Sequence, residues 1–140
     1  MKRMMIVLLM CLMALSGCAV GDAGRDEGAQ AGHAAYRQID QQTAARMMSE
    51  DDGHVVVDVR RQDEYEAGHI PGAILLPNET IGAERPEALP DTDQVILIYC
   101  RSGNRSKQAA QKLADMGYVN VYEFGGINTW TGEIVSGGAG

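Results

Sequence analysis

The chain has 140 residues and a formal charge of −7, with 45% hydrophobic and 22% charged side chains. About a hundred residues, from Tyr36 to Val135, suit one domain with a single core. The acidic balance argues against nucleic acid as a partner and against an electrostatic membrane-binding face.

Lys2 and Arg3 precede an apolar run, Met4 to Leu15, that is too short for a comfortable membrane span. The run closes on Leu15-Ser16-Gly17-Cys18, which resembles the bacterial lipobox: small residues directly precede Cys18 and a polar spacer follows. By that resemblance residues 1–17 are a lipoprotein signal peptide, cleavage falls before Cys18, and the Cys18 thiol carries a diacylglycerol. An ordinary secretory signal and an uncleaved anchor are the alternatives. The expected location is extracytoplasmic, on the periplasmic or cell-surface side of a bacterial membrane, held by lipid with no spanning helix. Loss of the two charges on Lys2 and Arg3 takes the formal charge from −7 to −9. Residues 18–35 are rich in glycine, alanine and acidic residues without apolar periodicity, and they read as a flexible tether. Such a tether spans about 20 Å root-mean-square.

Tyr36 to Ile39 reads as a short strand, and Asp40 can cap a helix from Gln41 to Glu50 with Ala44, Ala45, Met47 and Met48 as its apolar stripe. After the breaker Asp51-Asp52-Gly53, His54 to Val59 reads as a strand with no wet face. The polar stretch Arg60 to Gly68 holds a helical turn around Asp63-Glu64-Tyr65, and Ile74-Leu75-Leu76 is a short strand ended by Pro77-Asn78. Pro86 and Pro90 interrupt Glu79 to Asp93, which predicts a loop with short helical pieces at most. Val95 to Tyr99 is a strand buried on both faces, followed by a loop from Cys100 to Arg105 and a helix from Ser106 to Met116 that Gly117 ends. Val119 to Phe124 is a last strand ended by Gly125-Gly126, Ile127 to Glu133 a closing helical turn, and residues 136–140 a flexible tail. Strands alternating with helices predict an α/β domain, a central mainly parallel sheet with helices on both faces.

The strand–loop–helix passage aims backbone N–H groups and the positive end of a helix at one point, and that point holds the thiol of Cys100. A thiolate is favoured there, and the same cradle suits an anionic substrate. Of the three cysteines, Cys11 leaves with the signal and Cys18 is acylated, so Cys100 stays a free reactive thiol. An oxidising compartment does not keep such a thiol reduced, so a reductant or sulfur donor has to meet it there.

Three separated stretches carry a family resemblance. They are Asp58-Val59-Arg60 with Glu64-Tyr65 and Gly68 to Ala73; Tyr99-Cys100-Arg101-Ser102-Gly103-Asn104-Arg105-Ser106; and Gly125-Gly126 followed by Trp130. In that order they resemble a single-domain rhodanese, a sulfurtransferase that carries sulfur as a cysteine persulfide. The resemblance implies a rhodanese-like domain over residues 36–135 with Cys100 as nucleophile. The donor would be a small anion such as thiosulfate or a persulfide, the acceptor a thiol or cyanide, and no cofactor would be needed. Sulfur-handling members have four residues between cysteine and arginine, as between Cys100 and Arg105 here. The related phosphatases and arsenate reductases have one more, in a wider ring.

The amides from Arg101 to Ser106 would hold the thiolate and then the persulfide, with Gly103 permitting the curl. Arg105 is expected to fold back and hold the loop or the incoming anion, and Arg101 to stand at the mouth. Ser102, Asn104 and Ser106 either donate to sulfur or shape the loop. Asp58 and Arg60, at the carboxyl end of a central strand, support the cysteine loop on one reading. On the preferred reading they form a structural ion pair with Glu64 or a neighbour. His69 lies in a turn and is not expected to act as a base, and Trp130 packs in the core or walls the pocket. His33, His54 and His69 offer no ligand spacing, so no metal is expected. A monomer is expected, tied to the membrane by its lipid. Two rival readings use the same residues: a non-catalytic sulfur-binding, sensor or protein-interaction module, and a phosphatase or arsenate reductase.

Overall fold

The computed structural model describes residues 35–138. Cys11, Cys18, the signal sequence and nearly all of the tether lie outside the described residues. The elements are β1 (Arg37–Gln38), α1 (Gln41–Met48), β2 (Val55–Asp58), α2 (Gln62–Ala67), β3 (Ile74–Leu75), β4 (Ile96–Cys100), α3 (Asn104–Asp115) and β5 (Val121–Gly126). Short 3-10 turns cover Asn78–Thr80 and Ile127–Thr129.

The strands form one five-stranded sheet in the order β1-β5-β4-β2-β3, and every paired neighbour is parallel. β4 lies at its centre with all five residues buried, which is why its sequence runs apolar without alternation. Ile98 and Cys100 face α3, where Ala109, Ala110 and Leu113 cover them. Leu97 and Tyr99 face the opposite layer, against Ala44 of α1 and Tyr65 of α2. Helices therefore cover both faces, as the strand–helix alternation predicts.

α1 begins where Asp40 Oδ1 accepts the N–H of Thr43 at 2.6 Å, an N-terminal cap, and ends at Met48. Two boundaries differ from expectation in a way that shapes the site. α3 starts at Asn104 rather than Ser106, because Gly103 at φ +104° turns the chain straight from the cysteine into the helix. Asn104, Arg105 and Ser106 are thus its first turn. β5 runs through Gly125 and Gly126 rather than stopping at Phe124, and Gly126 pairs with Cys100 after a register shift. A Cβ on Gly126 would lie 2.0 Å from the carbonyl oxygen of Arg101. The glycines are the last two residues of the strand, and Gly126 lets the sheet and the cysteine loop touch.

Candidate active site

Cys100 is the last residue of the central strand and is 1% exposed. The backbone N–H of Gly103 donates to its Sγ at 3.0 Å. Burial pushes the thiol up, but the Ser106 hydroxyl and the amides of Ser106, Gly103 and Ser102 outweigh it and leave the thiol below its ordinary value. The 12-residue helix α3 adds its positive end to the same spot. The Gly103 N–H and the start of α3 thus converge on the sulfur.

The rest of the loop divides by exposure. Arg101, Ser102 and Asn104 are exposed, Arg105 is half-buried, and Gly103 and Ser106 are buried. Arg105 is a correction. Its guanidinium does not fold onto the loop; it forms two parallel bonds to Glu64, of 2.7 and 2.8 Å. Glu64 lies on α2 and also accepts the N–H of Arg61, so one carboxylate caps α2 and anchors α3 to it. The Arg105 guanidinium holds the Glu64 carboxyl down at about 2, against the opposing pull of burial.

Asp58 and Arg60 pair with each other, so of the two partners expected, Glu64 or a neighbour, the neighbour is found. Asp58 is fully buried, and its oxygens accept from Arg60 Nε and a terminal nitrogen at 2.6–3.1 Å. The same guanidinium donates to the carbonyl of Gly68 at 2.7 Å and lies 5.7 Å over the Tyr99 ring. The pair ties β2 to the turn after α2. His69 is buried, stacked on Tyr65 at 3.7 Å between ring centres, with Nδ1 2.8 Å from the Tyr65 carbonyl oxygen. Trp130 is half-buried against Phe124 and walls a cleft of about 360 Å³ with Gln41, Gln42, Ala45, Thr131 and Gly132.

One residue close to the sulfur escaped the sequence reading. Glu123 of β5 is 2% exposed, and its Oε1 accepts the Ser106 hydroxyl at 2.6 Å and the Gly125 N–H at 2.8 Å. The available signal was a charged residue at the inward position between Val121 and Gly125 of a buried strand.

The family model of the rhodanese-like domain matches residues 40–133. The chain belongs to the rhodanese-like family. Among curated relatives, the thiosulfate sulfurtransferase PspE of Escherichia coli is 35% identical over 71 residues, 51% of this chain and 68% of that protein. The adenylyltransferase and sulfurtransferase UBA4 of Lodderomyces elongisporus is 32% identical over 109 residues, 71% of this chain but only 24% of that longer protein. A solved rhodanese with anions from Escherichia coli superposes with a TM-score of 0.55 at 34% identity, covering 60% of this chain and 99% of its own. A rhodanese-like domain from Anabaena reaches a TM-score of 0.64 at 25% identity, covering 73% of this chain and 80% of its own. The rhodanese-like α/β fold is therefore secure, and the relatives support a sulfurtransferase-family function.

Proposed function

We propose that this rhodanese-like chain moves sulfane sulfur from a small anionic donor to a thiol or cyanide through a persulfide on Cys100. With thiosulfate, the Cys100 thiolate attacks the outer sulfur, the S–S bond of the donor breaks, and sulfite leaves with its electron pair. The persulfide then yields its outer sulfur to the acceptor. With cyanide the product is thiocyanate, and the Cys100 thiolate is regenerated. No proton or electron is needed from elsewhere. The amide ring meets negative charge on sulfur at every stage, which keeps its donors useful in both half-reactions. Arg101, exposed one residue after the cysteine, would meet the sulfonate end of the donor.

The observation that carries this reading is the Gly103 N–H held 3.0 Å from Sγ at the start of α3. A buried structural cysteine has no need of a donor ring. The purified chain, given thiosulfate and cyanide, is expected to form thiocyanate, and Cys100→Ser to form none. Equal inertness of both chains toward thiosulfate, polysulfide and persulfide donors would favour the binding module instead. Hydrolysis of an aryl phosphate that depends on Cys100 would favour the phosphatase.

A further inference from the structure

The Cys100 loop leans on the end of β5 at a point where the sheet no longer fixes that strand. From Ile98 to Cys100, β4 advances two residues while β5 advances three, from Glu123 to Gly126. The extra residue is a β-bulge, which interrupts the ladder beside the cysteine. On its other side β5 loses its neighbour. β1 pairs with Tyr122 and Glu123, Ile39 donates its N–H to the Glu123 carbonyl, and the chain then leaves through Asp40 into α1. Gly126 therefore lies beyond the β1 ladder and just after the bulge.

A side chain takes up the carbonyl of Gly126. Gln41, the first residue of α1, donates Nε2 to the Gly126 oxygen at 2.8 Å and to Thr129 Oγ1 at 3.0 Å. An amide nitrogen has two protons, so both bonds are made at once. The Thr129 hydroxyl donates to the same Gly126 oxygen at 3.2 Å, but that bond joins residues three apart on one segment. The Gln41 amide instead ties the segment to α1, whose start is capped by Asp40.

From Gly126 the contact passes directly to the cysteine loop. The Arg101–Ser102 peptide lies against Gly126, where a Cβ would meet Arg101 O, Arg101 C and Ser102 N at 2.0, 2.5 and 2.6 Å. The Asn128 N–H donates to the same Arg101 carbonyl at 3.2 Å. A trans peptide points its N–H opposite its C=O, so this contact turns the Ser102 N–H away from β5. The next amide, on Gly103, is the donor 3.0 Å from Cys100 Sγ.

We propose that Gln41 is a positioning residue for the Cys100 loop. Its amide takes the place of the β1 ladder, fixes the Gly126 peptide, and through it holds Arg101 to Gly103 in place around the sulfur. The inference rests on the reading of Cys100 as the sulfur carrier. Gln41 acts through Gly126 and not on the sulfur itself.

The test is Gln41→Met, which keeps a long unbranched side chain with a similar helix preference and removes both donors. The pH profile of Cys100 alkylation by iodoacetamide is measured, with Cys100→Ser as the blank for other thiols. Gln94→Met is the comparison. It removes a like bond, Gln94 Nε2 to the Gly53 carbonyl at 2.9 Å, just ahead of β4 and at the other end of that strand from Cys100. Gln41→Met should displace the profile upward by about half a pH unit, or about threefold slower alkylation on its rising limb. Gln94→Met should leave the profile where it is, whatever either substitution does to the urea midpoint. An unmoved profile in Gln41→Met, or an equal shift in both chains, overturns the proposal. Should Gln41→Met fail to fold, Gln41→Asn, shorter by one methylene, is read in the same way against the same comparison. Alkylation requires no turnover, so a failure here is distinct from a failure to form thiocyanate.

Discussion

At the scale of single residues, the region around Cys100 is governed by which charge meets which. Arg60 and Arg105 both belong to motif stretches, yet each is already committed to a carboxylate, Asp58 and Glu64 respectively. That leaves Arg101 as the exposed cation of the loop available to an incoming anion. The Arg105–Glu64 pair makes a pH prediction. Glu64 titrates at about 2 in the folded chain, below its ordinary 4.5, so its contribution is complete above 4.5 and is lost as pH falls toward 2. Glu64→Gln should therefore lower stability at pH 7 by about 1 kcal/mol, a partly exposed pair being worth no more than that. In urea unfolding series the gap between the two chains should close between pH 4.5 and 2. A gap that stays constant over that range would mean that packing, and not the ion pair, is what the substitution disturbs.

At the scale of elements, the decisive contact is between the end of β5 and the loop after β4. The sequence made most elements readable, since an apolar run with no alternation can only be a strand covered on both sides, and Asp40 and Gly117 mark helix ends. Cys100 and its loop were readable too, because the donors come from residues adjacent in the chain. What the sequence could not show was pairing over distance. Arg105 and Glu64 are 41 residues apart, and only the docking of α2 against α3 brings them together. Glu123 lies 17 residues beyond Ser106 and is reached only because β5 and β4 are neighbours. The glycine pair misled for a related reason: Gly-Gly is a turn signal locally, whereas its cause here is the close approach of Arg101. Gly126→Ala should push the loop off its position, because the obstructing atoms are backbone atoms of Arg101 and Ser102. A loss of about 1–3 kcal/mol in stability is expected from such overpacking, with thiocyanate formation at least about tenfold lower once the donor ring is displaced. Gly82→Ala, with nothing within 4 Å of the added methyl, is the control and should change neither. Full activity in Gly126→Ala would show that the amide ring tolerates displacement.

At the scale of the whole molecule, the site proposed to take an anionic donor sits in an acidic chain. The first 34 residues carry three charges of each sign, so the described domain holds the entire formal charge of −7. Two arginines near the loop are neutralised by their carboxylates, and the local positive field rests on Arg101, Lys107, the loop amides and the end of α3. These sources act over short range. A domain of this size has a radius of gyration of about 13 Å, and the screening length is about 30 Å at 0.01 M salt but about 8 Å at 0.15 M. At low salt the whole acidic surface therefore repels an approaching thiosulfate dianion, whereas at 0.15 M only the charges beside the mouth are felt. Raising the salt over that interval should increase kcat/KM for thiosulfate severalfold, the opposite of a site that steers its substrate in. Cyanide provides the internal comparison: it is mostly uncharged hydrogen cyanide at neutral pH and attacks as a monoanion, so its half-reaction should respond to salt less than that of the thiosulfate dianion. A fall in kcat/KM for thiosulfate with salt would mean that the cations at the mouth dominate even at long range, and that Arg101 and Lys107 guide the donor as well as hold it.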